Sequence, residues 1–251
     1  MADTKISGLT AAASFIMTDE LPVNESGTSK KVTGAQIFTE PVYTAGDATH
    51  AAFTLTSGAV QTSPTAGDVE YDGTCFYTTP VASARGVSPS MMFAITAAGD
   101  VALATSITEQ AAFTSTNDVW TLASATTYMI EGMYYISKSG TTAAVGIGFS
   151  GGATLTAILY NANSWIGAIG TSSATSQMTM VAASANTNVI ATSVTACYVY
   201  FKGLIQVNAG GTIIPSVKWS ASNTSPTMKA GSFITFTPIG TNTVTKIGNV
   251  G

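Results

Sequence analysis

Between Val119 and Gly251 the chain carries six charged side chains, Glu131 against Lys138, Lys202, Lys218, Lys229 and Lys246. Short stretches that alternate apolar and polar residues fill the gaps, separated by Gly, Asn, Ser and Thr. Alternation with period two marks strands whose two faces meet different surroundings, so this half is expected to be β. A soluble chain usually draws about a quarter of its residues from the charged set; here the figure for the whole chain is 9%. Much of each subunit's surface is therefore expected to be covered by copies of itself.

At 251 residues, 45% of them hydrophobic, the chain can build one large all-β domain or two smaller ones. The charge is uneven: residues 1–118 hold twelve acids and four bases, residues 119–251 one acid and five bases. Opposite halves of neighbouring subunits could attract one another, or two domains could simply sit in different surroundings. Lys30-Lys31 is the densest basic run, which gives no footprint for nucleic acid. Cys75 and Cys197 lie far apart, each beside aromatic residues and without a C-x-x-C partner; they read as small buried hydrophobes, and a disulfide between them has no support from spacing. No run of about 20 apolar residues occurs, so no membrane insertion is expected. The N-terminus lacks a charged n-region and an apolar h-region, from which synthesis in a cytoplasm is expected.

Three regions are expected. Residues 1–40 contain too few apolar side chains for a core and read as an extended docking arm. Within it Asn24-Glu25-Ser26-Gly27 turns between two β-like pieces, a hairpin signal, and residues 34–38 suggest a short helix. Residues 41–118 read as a small β-rich domain. Val69 to Thr79 alternates as a strand, with Val69, Tyr71, Gly73, Cys75 and Tyr77 on one face, unless Asp72-Gly73 breaks it into a hairpin. A boundary is expected near 108–118, where Thr, Ser and Asn accumulate before Trp120.

Residues 119–251 read as a β-sandwich or jelly-roll head of about eight strands. Thr127 to Ile136 sets Met129, Glu131, Met133 and Tyr135 against Tyr128, Ile130, Gly132 and Tyr134. Ala143 to Phe149 and Ala153 to Tyr160 are expected to form a hairpin through Ser150-Gly151-Gly152. Gln177 to Ala182 places Met178 beside Met180. Ala196 to Val207 is the clearest strand, with Cys197, Val199, Phe201, Ile205 and Val207 on one side and Tyr198, Tyr200, Lys202, Leu204 and Gln206 on the other.

Two resemblances bear on function. Asp3-Thr4-Lys5-Ile6-Ser7-Gly8-Leu9-Thr10, then Asp19-Glu20-Leu21-Pro22-Val23-Asn24, then Ser26-Gly27-Thr28-Ser29-Lys30-Lys31-Val32-Thr33, resembles the N-terminal segment of many tailed-bacteriophage virion proteins. Gly67 to Pro80, followed by Arg85-Gly86-Val87, looks like a block recurring in the same class. The stretch from Tyr198 through Val217-Lys218-Trp219 to Lys229–Ile234 resembles the trimeric jelly-roll heads of the tumour-necrosis-factor and complement type. These resemblances imply a virion location and a homotrimer. Ile6, Leu9, Leu21, Val23, Lys30 and Lys31 are the expected virion-docking residues; Arg85, Tyr198, Tyr200 and Leu204 are expected at the trimer interface, although plain solvation would account for Arg85 as well. Strands apolar on both faces suit that architecture, although burial of both faces within one subunit would give the same pattern.

No constellation for catalysis emerges, and neither cofactor nor metal is expected. His50 is the only histidine; Asp47 lies near it, but a triad or a metal site needs further partners. Glu70 and Asp72 have the residue types of a glycosidase pair, yet charged turn residues are the better account of them. Gly146 to Gly152 lacks the Gly-Lys-Ser/Thr ending of a phosphate-binding loop. Within the class that the resemblance implies, the expectation is a capsid decoration protein on the major capsid protein, or a short tail fibre that binds a host surface glycan or protein. In the fibre reading Trp165 or Trp219 could stack on sugar. No heptad, collagen-like or β-helix repeat supplies a shaft, which speaks against a long fibre; between decoration and a short fibre the reading leans narrowly to decoration.

Overall fold

The computed structural model describes residues 20–33, 45–49, 51–81, 84–88, 90–95, 99–113, 118–139, 143–167, 176–190, 195–222 and 224–243, and every regular element among them is a β-strand. Two compact units divide the chain, residues 1–55 and 56–251. Ile6, Leu9, His50 and the expected helix over 34–38 lie outside the described residues.

In the first unit, β1 (Glu20–Glu25) and β2 (Thr28–Thr33) form the expected antiparallel hairpin. Ser26 and Gly27 both have positive φ, 53° and 81°, the mirror-image turn whose twist matches that of the two strands. The second unit opens with a three-stranded sheet of β3 (Val69–Tyr71), β4 (Phe76–Val81) and β5 (Ala84–Ser88). Asp72-Gly73 does break the strand: Tyr71 pairs with Phe76 across the turn. The Asp72 carboxylate fixes that turn, its Oδ1 accepting the amides of Thr74 at 2.8 Å and Cys75 at 2.7 Å and its Oδ2 the Tyr77 hydroxyl at 2.7 Å.

The remaining strands are β6 (Met92–Ile95), β7 (Val101–Ala102), β8 (Gln110–Ala111), β9 (Trp120–Leu122), β10 (Thr126–Ser137), β11 (Val145–Ser150), β12 (Thr154–Ile166), β13 (Ser176–Val181), β14 (Thr187–Ile190), β15 (Ala196–Ala209), β16 (Gly211–Trp219), β17 (Thr227–Met228) and β18 (Phe233–Thr241). They build two antiparallel sheets. In the larger, β13, β12, β15 and β10 lie side by side; β10 is then flanked by β18 and β17, which carry β6 and β7 beyond them. The smaller has the order β14, β11, β16, with β8 and β9 both on the far side of β16.

The pairings are nested: β6 with β18, β8 and β9 with β16, β10 with β15, β11 with β14. A ribbon in which the first strand meets the last, the second the next to last, and so on inward, is a jelly roll wound into two sheets. The hairpin β12–β13 stands outside this scheme. It is inserted between the innermost pair and lengthens the larger sheet by two strands. Strands β6 and β8 precede Val119, so residues on both sides of the expected boundary near 108–118 share the same sheets.

One expected connection is corrected. Ser150-Gly151-Gly152 does not close a hairpin, because β11 pairs with β14 and β16 while β12 pairs with β13 and β15. The chain crosses from one sheet to the other there. The amides of Gly152 and Ala153 are held by Thr212, through its hydroxyl at 3.0 Å and its carbonyl at 2.9 Å.

Core side chains come from both sheets. Phe201 and Tyr160 of the larger sheet meet Phe149 of the smaller one edge to face, with ring centroids 6.3 and 5.7 Å apart. Tyr134 packs on Phe201 at 4.9 Å. Trp219 is fully buried and donates its indole N–H to the Ala104 carbonyl at 2.8 Å, which satisfies the one polar atom such a ring carries into a core. Cys75 and Cys197 are both buried free thiols, Cys197 within this main cluster, and burial pushes the Cys197 thiol up to about 12. Lys138 is buried as well, its ammonium donating to the Ala143 carbonyl at 2.7 Å; burial lowers its pKa, because an apolar environment disfavours the charged form.

Candidate functional site

Each strand of the larger sheet turns one row of side chains into the core and the other outward. Along β15 the inward row is Cys197, Val199, Phe201, Ile205 and Val207, all buried, while Tyr198, Tyr200, Lys202, Leu204 and Gln206 face out. Register carries this across the sheet. Tyr198 stands between Tyr135 and Trp165, Tyr200 between Met133 and Asn163, Lys202 between Glu131 and Asn161, and Leu204 between Met129 and Leu159. Beyond β12, Asn163 meets Met178 and Asn161 meets Met180. Beyond β10, Met133 meets Phe233 and Glu131 meets Thr235.

The outward face therefore carries large apolar and aromatic side chains on either side of a polar row, Asn161, Lys202, Glu131 and Thr235. Exposure is greatest at the inserted hairpin, 71% for Met178, 61% for Met180 and 52% for Leu159, against 44% for Leu204 and 38% for Trp165. It falls towards β10 and β18, where Met129, Met133 and Phe233 are half-buried. Tyr135 and Tyr198 stack with ring centroids 4.5 Å apart and planes 17° from parallel. Single exposed apolar residues are ordinary, whereas an extended exposed apolar set is the usual mark of an interaction surface.

One charged pair sits in the middle. The Lys202 ammonium lies 3.6 Å from Glu131 Oε2, and the Tyr200 hydroxyl donates to Glu131 Oε1 at 2.7 Å. That hydrogen bond raises the Tyr200 pKa, helped by partial burial; burial, with Tyr135 alongside, does the same for Tyr198. Strands β10, β12, β13, β15 and β18 carry no other charge, so this face is electrically balanced.

Three of the four residues expected at a trimer interface, Tyr198, Tyr200 and Leu204, thus share this face. Arg85 stands apart from them. On β5 of the small sheet, its Nε donates to Glu70 Oε2 at 2.8 Å, a second guanidinium nitrogen donates to the Gln61 carbonyl, and the group stands 6.0 Å from the Tyr77 ring centroid. Its carboxylate partner belongs to its own chain. Of the expected docking residues, Leu21 and Lys31 are exposed on the β1–β2 hairpin, where Lys31 pairs with Glu20 and Val23 pairs in register with Lys30, itself exposed. The sequence places Met178 beside Met180 but carries no sign of which surface they belong to. Leu159 lies where β12 alternates only weakly between small and large residues, so it gives no signal of its own.

The candidate carboxylates are engaged in structure: Glu70 holds Arg85 and the Gln61 amide, and Asp72 holds its own turn. Trp219 is enclosed in the core. No family model matches the chain, and no curated protein matches it. Among solved structures there is a likeness to a chain titled "Structure of infectious bursal disease virus Gt strain". It has 11% identity and a TM-score of 0.19, and covers 68% of this chain and 48% of that one, about half its length.

Proposed function

We propose that the chain is a non-enzymatic structural protein of a virion. In this reading it is a homotrimer made in the host cytoplasm that decorates the capsid, with the N-terminal region docking on the shell and the jelly roll forming a knob. The observation that carries the reading is the outward face of the larger sheet, broad, rich in exposed apolar side chains and balanced in charge. Its five strands from β13 to β18 span about 24 Å; the six residues of β13 run about 20 Å and eight residues of each of the other four about 27 Å, roughly 600 Å² in plan. Corrugated by side chains, that approaches the ~800 Å² per partner of a stable interface. Closed assemblies of identical subunits are the usual way such faces are covered, and a decoration trimer would add buried contact between neighbouring capsid subunits.

A short tail appendage that binds a host glycan or protein is the second reading, favoured by one observation: Trp165 is partly exposed beside Tyr198. Copies per purified virion, counted by quantitative mass spectrometry against the major capsid protein, test the two. A number on the scale of the capsid lattice supports decoration. A handful per particle moves the protein to the tail, and absence from purified particles sinks both readings.

A further inference from the structure

The outward face of the smaller sheet has a gap. In register, Gly146 of β11 stands between Asn188 of β14 and Lys218 of β16, and it has no side chain to continue the row. A cleft of about 400 Å³ lies there, lined by Ile107, Asn186, Asn188, Lys218, Trp219 and Ser220. Gly148, the next outward residue of β11, is a glycine for another reason. A Cβ on it would stand 2.8 Å from both the amide nitrogen and the Cα of Asn186, so it admits a crossing backbone. The three atoms nearest to a Cβ on Gly146 would all be oxygens: Asn188 Oδ1 at 3.3 Å, the Thr187 carbonyl at 3.4 Å and Asn186 Oδ1 at 3.5 Å. A strand glycine that no crowding backbone accounts for is a place where a ligand can approach closely.

The direction of one of these oxygens is forced. A carboxylate only accepts, so the single proton of Ser216 is committed to Glu109 Oε1 at 2.6 Å. Ser216 Oγ is then an acceptor towards Asn186, whose Nδ2 donates to it at 2.9 Å. The carboxamide is thereby fixed with Oδ1 turned towards Gly146, where it is buried and has no hydrogen-bond partner. An enclosed acceptor without a donor is rare in a folded protein. Across the gap Lys218 is exposed and makes no ion pair among the described residues. The cleft thus sets acceptors on one side against an ammonium donor on the other.

We infer that this cleft binds a saccharide through two neighbouring ring hydroxyls, which donate to the oxygens of Asn186 and Asn188 and accept from the Lys218 ammonium. A hydroxyl is one donor and two acceptors, the combination that this mixed set requires. An anion would face three oxygens and a cation would face Lys218, so a neutral polyol fits where either ion is repelled. Ile107 is exposed and gives the ring carbons an apolar wall. Asn188 is exposed too, and its oxygen shares the point over Gly146 with that of Asn186. A turn of its side chain opens the enclosed oxygen to the cleft. The cleft lies on the smaller sheet, whereas both virion readings are carried by the larger one, so the inference goes beyond them.

The test is saturation-transfer NMR on the full chain with the methyl pyranosides of glucose, galactose, mannose and N-acetylglucosamine, each at millimolar concentration. Transfer to at least one of them is expected, strongest at two adjacent ring protons. Gly146→Ala puts a methyl group where the three oxygens meet, and Asn188→Ala removes an exposed acceptor. Each is expected to weaken binding at least tenfold, with thermal melts showing that the chain is folded; if Gly146→Ala does not fold, Asn188→Ala decides alone. Transfer to none of the four sugars overturns the inference. So does binding that survives the cleft substitutions, or binding lost in Trp165→Ala in their place, which would put the sugar on the larger sheet. None of these outcomes touches the count of copies per virion, so the functional reading stands or falls separately.

Discussion

Lys202 and Glu131 face each other across β15 and β10, nitrogen to oxygen 3.6 Å, in the middle of a sheet face whose other side chains are uncharged. In water such a pair contributes well under about 1 kcal/mol. Enclosed between subunits, the same pair must stay whole, because removing one partner leaves a buried charge that costs about 3–5 kcal/mol. Lys202→Ala is therefore expected to leave the melting of the isolated subunit nearly unchanged and to weaken assembly by a hundredfold or more. Sedimentation equilibrium of the two proteins measures this, and equal association constants would place the pair off any interface.

Two glycines in the same strands set a different limit. A Cβ at Gly203 would stand 2.1 Å from the Leu159 carbonyl oxygen and 2.5 Å from Tyr160 Cα, whereas a Cβ at Gly132 would meet the Phe201 ring at 2.4 Å. A ring can shift slightly; two paired backbones cannot separate without breaking the ladder between β12 and β15. Overpacking of this kind costs typically about 1–3 kcal/mol. Gly132→Ala is expected within that range and Gly203→Ala at or beyond its top. Urea denaturation of both variants gives the order, and a milder Gly203→Ala would mean that the strands separate more readily than their register implies.

Strand β15 was legible because its two faces differ sharply in burial: every second residue from Cys197 to Val207, Gly203 apart, had to be apolar and bulky, and alternation exposes that. The partner of a strand was not legible. Ser150-Gly151-Gly152 has the residues of a tight turn whether the chain returns beside itself or crosses to the opposite sheet, and the deciding contacts, from Thr212, lie some sixty residues away. Strands β6, β8 and β17 are too short to show a period. Their places come from long-range pairing, which is also why the head takes in residues before Val119. On the outward face Tyr198, Tyr200 and Leu204 could be read from one strand, but Leu159 and Met180 join them only through register.

Asp72 makes the acid limb of stability readable. Burial pushes its carboxyl up, but hydrogen bonds from the Cys75 amide, the Tyr77 hydroxyl and the Thr74 amide outweigh this and hold it below its ordinary value of 3.8. A carboxyl whose folded pKa is depressed contributes stability that is present above its unfolded pKa and is lost as pH falls through the folded value. Asp72→Asn keeps an amide acceptor for the turn but loses the charge. It is expected to destabilise the second unit by about 1–2 kcal/mol at neutral pH. The deficit should shrink as the pH falls through the depressed folded pKa, where the wild-type carboxyl itself becomes protonated. Thermal melts of both proteins from neutral pH downward test this, and a deficit that does not change with pH would assign the loss to geometry instead of charge.

Arg85 separates a role within the subunit from one between subunits. Its guanidinium ties β5 to Glu70 of β3 and to the Gln61 carbonyl, while the other oxygen of Glu70 accepts the Gln61 amide at 2.6 Å, so one ion pair fixes the segment around Gln61 against the small sheet. Both side chains are mostly enclosed, 19% and 11% exposed. In that setting the loss of one partner leaves the other poorly solvated, and a coupling of about 1–3 kcal/mol is expected from a double-mutant cycle of Arg85→Met and Glu70→Gln. Arg85→Lys keeps the charge but loses the planar fork that serves Glu70 and Gln61 together, so it should recover only part of the loss. If the pair acts within the subunit, all these variants shift the melting transition and leave the oligomeric state alone. A change in oligomeric state at unchanged melting temperature would return Arg85 to the interface that its sequence context suggests.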